Sequence, residues 1–319
     1  WIYVVRPPTA AMLSTIGIHE SVDAVFPPEA LAEALGDVDP EVRIVSTDEL
    51  SSCDALVTFA HEDAFLEADI EWIHSIQAGV DRFPFEALES AEIALTNSTG
   101  IHGDTVGETV AGYMLSFARR LHRYRDHQGD REWSREEWDV PFTLAGESVC
   151  VVGLGTLGRG VAVRADALGM DVVGVKRTPT PVDHVEAVHP SGELDAAIAG
   201  SRFVVLTVPL TERTERLVGA AELETMRSDA YLINVARGPV VDEAALVEAL
   251  EAGEIAGAAL DVFETEPLPS DSPLWGMEDV VVTPHTAGST GEYYRRIAAL
   301  VRENARRHAD GEGLANRVV

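Results

Sequence analysis

Three glycines, spaced as Gly153-Leu154-Gly155-Thr156-Leu157-Gly158, constrain this chain most because of what flanks them. An apolar run, Val149–Val152, leads into them and predicts a buried strand. A helical pattern follows, from Val161-Ala162 to Ala167-Leu168. A strand that turns tightly into a helix leaves the unpaired N–H groups of the helix N-terminus facing the turn. The first glycine permits the turn, the second lets an anion approach the backbone, and the third lets strand and helix pack closely. An ordinary βα turn can share this spacing. The strand before and the helix after are what a dinucleotide pyrophosphate requires. Gly153, Gly155, Thr156, Leu157 and Gly158 are therefore candidate cofactor-binding residues.

The chain has 319 residues, enough for about two domains, and 46% of them are hydrophobic, enough for real cores. The first hundred residues alternate short strands with helices. Ile2–Val5, Val42–Val45, Ala55–Phe59 and Ile93–Thr96 read as strands, and Pro28–Leu35 reads as a helix. A helical pattern from about Val106 to Arg125 leads away from this set, and a polar, tryptophan-bearing excursion, Gln128 to Phe142, follows. The second series then runs through six strands: Val149–Val152, Asp171–Val175, Phe203–Leu206, Ala230–Asn234, Ala258–Leu260 and Val280–Thr283. Six is the number in a dinucleotide domain built from two mononucleotide halves. A last helix spans about Glu292–Asp310.

The net charge is −30, and Lys176 is the single lysine among 24 basic residues. Acidity dispersed over the surface repels nucleic acid and anionic membranes. It also suits a protein working at high salt, where screening removes self-repulsion. The near absence of lysine favours a halophile over a merely acidic mesophilic enzyme. No apolar run reaches the length of a membrane span. Trp1–Arg6 reads as a buried strand and not as a signal peptide. The missing initiator Met fits a trimmed N-terminus. Cys53 and Cys150 form no disulfide framework and have no metal-ligand spacing. A cytoplasmic enzyme without a metal is expected.

Ligands of open parallel sheets bind beyond the carboxyl ends of the strands. In the second series the glycine turn follows the first strand, Lys176-Arg177-Thr178 the second and Val208-Pro209 the third. Val235-Ala236-Arg237-Gly238 follows the fourth, Asp261 the fifth and Pro284-His285 the sixth. The suggestive residues thus share one sheet edge. NAD-binding domains carry an acid after the second strand, on the ribose 2′-hydroxyl, whereas an Arg there accommodates the 2′-phosphate of NADP. Lys176, Arg177 and Thr178 supply two cations and a hydroxyl. They point to NADP(H) preference with NAD(H) use possible; an incidental basic loop is the plainer alternative. Arg237, Glu266 and His285 could form a catalytic group. Hydride reduction of a carbonyl needs a proton donor, for which His is suited. A carboxylate on the far ring nitrogen fixes the tautomer, and an Arg can hold a substrate carboxylate. Each residue type alone is more often a surface or structural residue.

These segments resemble the D-isomer-specific 2-hydroxyacid dehydrogenases over essentially the whole length. Ile233–Asp242 resembles the family signature, Ala259–Leu268 the segment with an Asp and the catalytic Glu, and Val282–Gly288 the His motif. The resemblance implies Arg237 as carboxylate and carbonyl binder, Glu266 as the partner of His285, and His285 as acid/base. It implies cofactor contacts from Val208, Pro209, Val235, Ala236, His285 and Gly288, with Asp261 on the nicotinamide carboxamide. Ile76–Asp81 resembles the substrate loop, so the N–H groups of Ala78, Gly79 and Val80 are expected on the substrate carboxylate. Asn97 and Gly100 resemble hinge-side residues. The implied fold is α/β, with two Rossmann/flavodoxin-like doubly wound parallel-sheet domains and the active site in a cleft between them. Residues 1–99 plus 288–319 would bind substrate and 100–287 the dinucleotide. A homodimer through the dinucleotide domains is implied, with Gln128–Phe142 where the family's dimer arm lies. The expected reaction reduces a 2-oxo acid to a D-2-hydroxy acid. A glyoxylate/hydroxypyruvate reductase and a phosphoglycerate-type enzyme are alternatives within the class. A nucleotide-sensing corepressor on the same fold is the alternative outside it.

Overall fold

The computed structural model describes residues 13–319. The strand expected at Ile2–Val5 lies outside the described residues. The chain divides into two compact units, one running up to Ile101 and resuming over Thr290–Val319, the other spanning His102–Ser289.

The first unit contains β1 (Thr15–His19), α1 (Pro28–Ala34), β2 (Glu41–Val45), β3 (Ala55–Thr58), β4 (Trp72–Ser75), α2 (Phe85–Ser90) and β5 (Ala94–Thr96). The second contains α3 (Gly103–Ala118), α4 (Leu121–Asp130), β6 (Ser148–Val152), α5 (Thr156–Ala167), β7 (Asp171–Lys176), β8 (Ala187–Pro190), α6 (Leu194–Ile198), β9 (Phe203–Leu206) and α7 (Ala220–Thr225). It continues through β10 (Tyr231–Asn234), α8 (Glu243–Ala252), β11 (Gly257–Leu260) and β12 (Val280–Val282). Helix α9 (Tyr293–Ala309) returns to the first unit, where it packs on α1.

Among the described residues, all paired strands of the first unit run parallel, in the order β2-β1-β3-β4-β5. That is the flavodoxin-like order. Successive side chains alternate between faces, so both faces must be covered. Ile16, Ile18, Val57 and Trp72 meet Leu31, Leu35, Ile297 and Val301 on one face. Leu56, Ile73 and Leu95 meet Phe65 and Leu88 on the other. Strands β1 and β4, which the sequence pattern did not predict, are central.

Strand β4 carries a polar cluster into the core. His74 is fully buried between Thr96 Oγ1, 2.8 Å from Nδ1, and Ser98 Oγ, 3.2 Å from Nε2, and Trp72 Nε1 donates to the same Thr96 oxygen at 2.7 Å. Burial pushes the His74 pKa from 6.5 down to about 3. The folded protein therefore excludes a proton that the unfolded chain takes up below about pH 6.5. Stability on this account falls by about 1.4 kcal/mol per pH unit between those two values. His74→Gln should be less stable than wild type at pH 7.5, yet lose about 2 kcal/mol less between pH 6.5 and 5. Urea unfolding at three pH values checks this, and parallel acid slopes would contradict it.

The second sheet has seven parallel strands in the order β12-β11-β10-β9-β6-β7-β8. Counted within the unit, that is the 3-2-1-4-5-6 order of a dinucleotide fold with a further strand beyond the sixth. The expected six strands are thus corrected to seven. The missed strand, β8, is an edge, where Pro190 removes no needed ladder bond. The long helix expected over Val106–Arg125 is also two helices. Arg120 breaks it with φ 56°, its guanidinium held by Asp279 at 2.8 Å.

Cys150, expected in the core, is fully buried, and burial pushes its thiol up to about 12. Helices α3 and α5 pack at backbone distance. A Cβ on Gly107 would stand 2.4 Å from the Gly160 carbonyl oxygen, and one on Gly160 would stand 1.8 Å from that of Gly103. No described helix is long and apolar enough to cross a membrane.

Candidate active site

The glycine turn leaves the carboxyl end of β6, where the strand order reverses between β7 and β9. Gly153 sits at φ +99°, a conformation L side chains rarely adopt. A Cβ on Gly158 would stand 1.9 Å from the Gly153 carbonyl oxygen, so only glycine allows α5 to start this close to β6. Gly155 is the opposite case, since a Cβ there would meet nothing within 4 Å. The space over Gly155 and the first N–H groups of α5, to which no side chain of the described residues is bonded as a cap, suit an anion. Residues present in this turn therefore fit a dinucleotide pyrophosphate. Thr207, at the end of β9, closes the turn by donating to the Gly153 carbonyl at 2.6 Å. Val208 stands where a Gly153 side chain would go.

At the end of β7, Lys176 donates to Thr180 Oγ1 at 3.0 Å, and Arg177 and Thr178 are exposed. Beyond β10, Asn234 is buried and shapes the next loop. Its Oδ1 accepts from the Ala236 N–H and its Nδ2 donates to the Arg237 carbonyl, both at 3.0 Å. Arg237 is half-buried, with Nη1 donating to the Ala236 carbonyl at 2.8 Å. A Cβ on Gly238 would overlap the backbone of Phe263 at 1.8 Å. Glu264 N–H donates to Glu243 at 3.1 Å. The Arg237 loop is thus pressed onto the segment that carries Glu266.

Glu266 and His285 meet. His285 Nδ1 lies 2.8 Å from Glu266 Oε2. A carboxylate only accepts, so Nδ1 carries the hydrogen and Nε2 is left to exchange a proton. Glu266 Oε1 is held in turn by the Phe263 N–H at 3.2 Å. The His285 side chain is 44% exposed, so the ring is open to a ligand. His285 adopts φ 53°, unusual for a residue with a side chain. Asp261, 2% exposed, holds that turn. Its Oδ1 accepts from Thr283 Oγ1 at 2.6 Å and the Thr286 N–H at 2.9 Å, its Oδ2 from the Ala287 N–H at 2.8 Å, and its carbonyl from the His285 N–H at 2.8 Å. Gly288 follows, where a Cβ would stand 3.1 Å from His102 Nδ1, a tight contact.

In the first unit, the loop after β4 runs through Ala78, Gly79 and Val80. Its carbonyls are engaged: Ile76 accepts from the Tyr293 hydroxyl, Gln77 from the Ser98 N–H at 3.0 Å, Ala78 from Asn97 Nδ2 at 2.7 Å and Val80 from the Phe83 N–H at 3.0 Å. Among the described residues, none accepts from the N–H groups of Ala78, Gly79 or Val80. Gly100 has φ +103° and Asn97 also accepts from the Thr99 N–H.

Residues 111–287 match the model of the D-isomer specific 2-hydroxyacid dehydrogenase NAD binding domain. A glyoxylate/hydroxypyruvate reductase B of Yersinia pestis is 37% identical over 233 residues, 72% of each chain. The chain belongs to the D-isomer specific 2-hydroxyacid dehydrogenase family. A family member of Xanthobacter autotrophicus, solved with NADPH and MES, superposes with a TM-score of 0.82 at 33% identity, over 96% of this chain and 98% of that one. The NADPH-dependent glyoxylate/hydroxypyruvate reductase of Sinorhizobium meliloti, solved with NADP and sulfate, gives 0.81 at 27% identity, over 96% and 98%.

Sequence patterns missed the residues that shape these loops. Thr207, Asn234 and Thr283 are small polar side chains at strand ends, and each bonds backbone or a carboxylate within its own sheet edge. A lone Thr or Asn that closes an apolar run is the signal that could have found them.

Proposed function

We propose that this dehydrogenase reduces a 2-oxo acid to a D-2-hydroxy acid with NADPH, and that glyoxylate and hydroxypyruvate are its leading substrates. The observation that carries the reading is the His285–Glu266 pair at 2.8 Å, on the sheet edge that also bears the glycine turn. The reduced nicotinamide, when bound, supplies the hydride. His285, protonated on both ring nitrogens, gives its Nε2 proton to the carbonyl oxygen as charge develops there. Glu266 keeps the ring oriented and balances the imidazolium. Arg237 offers a fork of donors that fits a carboxylate in two-point geometry. The unengaged N–H groups of Ala78, Gly79 and Val80 are a neutral backbone cradle for the same class of anion. Asp261 Oδ2 keeps an acceptor site suited to an amide donor such as the nicotinamide carboxamide. Initial rates with NADPH against glyoxylate and hydroxypyruvate test the reading; a protein that binds NADPH and turns over no 2-oxo acid is not this enzyme.

The cofactor preference rests on Lys176, Arg177 and Thr178 and on the NADPH and NADP complexes of the two solved relatives. Arg177→Ala should raise the KM for NADPH by roughly 10- to 100-fold, as for a lost charge-assisted contact, and leave that for NADH near wild type. An equal rise for both would remove Arg177 from the 2′-phosphate site.

Assembly and salt response follow from the surface. Trp133 is 95% exposed and Trp138 is 89% exposed, on a stretch of unit two without helix or strand. Side chains that large stand in water at an energetic cost unless a partner covers them. A homodimer whose arm carries both tryptophans suits them, and the −30 charge suits molar salt. Sedimentation in dilute buffer and in molar KCl should give a dimer that KCl strengthens and Trp133→Ser/Trp138→Ser weakens. A monomer at both salts would contradict this.

A further inference from the structure

We infer that Tyr113 positions the acid/base His285 from a distance, through Thr283 and Asp261, an inference that rests on the role proposed for His285. Tyr113 lies in α3, 6% exposed, with its hydroxyl 2.5 Å from Thr283 Oγ1. Thr283 Oγ1 lies 2.6 Å from Asp261 Oδ1.

The direction of this chain is fixed by chemistry. A threonine hydroxyl has one hydrogen, and a carboxylate only accepts. Thr283 therefore donates to Asp261, and Tyr113 must donate to Thr283. Burial pushes the Tyr113 hydroxyl up to about 12, so that hydrogen is in place at any working pH.

The chain ends on the carboxylate that gathers the turn around His285. Besides Thr283, Asp261 receives the N–H groups of Thr286 and Ala287, and its carbonyl receives that of His285. These donors converge on the side chain and carbonyl of one buried residue, around a His285 at φ 53°. If Thr283 loses its donor, it is no longer fixed against rotation. A Thr283 hydroxyl that turns away from Asp261 leaves the carboxylate to the backbone N–H groups of Thr286 and Ala287. The His285 ring keeps its Glu266 partner but loses a fixed base. The expected effect is on the proton-transfer step and not on capture of the 2-oxo acid.

The test compares wild type, Tyr113→Phe, Thr283→Val, the double variant and Thr283→Ser. Two quantities are read: reductive kcat with the 2-oxo acid KM, and amide hydrogen exchange over residues 283–288 in the protein alone. Tyr113→Phe should lower kcat by about 3- to 10-fold and Thr283→Val by about 10-fold or more, in line with lost neutral and charge-assisted bonds. KM should stay within about twofold, and Thr283→Ser should return kcat to within about twofold of wild type. The double variant should be no worse than Thr283→Val, because one chain is cut twice. Exchange over 283–288 should quicken in both Tyr113→Phe and Thr283→Val. Losses that multiply, unchanged exchange, or a wild-type kcat in Tyr113→Phe would overturn the inference. If His285→Ala keeps its kcat, the acid/base role fails instead. The exchange pattern then still reports whether the chain holds the turn.

Discussion

His285→Ala, at saturating NADPH, should lose about 10²- to 10⁴-fold in kcat for 2-oxo acid reduction, the range for loss of a general acid–base group. The loss falls on kcat because the proton is needed as negative charge develops on the carbonyl oxygen. The tautomer argues for the atom involved, since Nδ1–H is committed to Glu266 at 2.8 Å and Nε2 is left. In the role proposed for His285, reduction draws on the imidazolium and oxidation on the neutral imidazole. In wild type, reductive kcat should therefore fall as pH rises, and oxidative kcat should rise. His285→Ala should lose both limbs. Glu266→Gln keeps an acceptor for Nδ1–H without the charge, so its loss should be smaller than that of His285→Ala. Rate against pH in both directions checks the set. A near-wild-type kcat in a folded His285→Ala would assign the proton to another group.

Arg237→Ala should act on the other substrate parameter. A guanidinium makes two charge-assisted bonds to a carboxylate, each worth about 1.5–3 kcal/mol. Their loss should lower kcat/KM for the 2-oxo acid by about 10²-fold or more, chiefly through KM. NADPH affinity should hold. Arg237→Lys should recover little, because a point charge does not replace a planar fork. The loop gives a reason to expect a folded variant: Asn234 shapes it through backbone groups of Ala236 and Arg237, and Gly238 seats it on Phe263. These contacts do not use the guanidinium, whose Nη1 donates to the Ala236 carbonyl at 2.8 Å. If Arg237→Ala raised the NADPH KM and left that of the 2-oxo acid alone, the carboxylate would be bound elsewhere.

What the amino-acid sequence could tell of this fold follows from how each element is buried. Strands β6, β9, β10 and β11 are short apolar runs covered on both faces, which the pattern shows directly. Strand β4 reads Trp-Ile-His-Ser and hides because its polar residues are buried by bonding to Thr96 and Ser98. Strand β1 holds Gly17, where a Cβ would stand 2.7 Å from Cys53 Sγ. A glycine demanded by packing weakens the strand signal. Strand β8 is a half-exposed edge that ends in Pro190 and has no apolar run to show. The break at Arg120 has neither Gly nor Pro to mark it; the ion pair with Asp279, distant in sequence, accompanies it.

The candidate site divides in the same way. Its glycines and its charged residues carry spacing and type, so Gly153, Gly155, Gly158, Arg237, Glu266 and His285 stand out in the bare chain. The contacts that organise them do not. Asp261 presents as one more acid at a strand end, yet three donors from the β12 loop close on its carboxylate. Such convergence joins residues 261 and 283–287 across two neighbouring strands, and no local pattern encodes it.

In the proposed reaction a hydride and a proton are delivered to the keto carbon and oxygen of a 2-oxo acid, giving the D product. Chiral analysis of the product from hydroxypyruvate, with NADPH oxidation followed in the same reaction, tests it most directly. D-glycerate formed mole for mole with NADPH consumed is the expected result. L-glycerate, or NADPH consumed without glycerate, would contradict it.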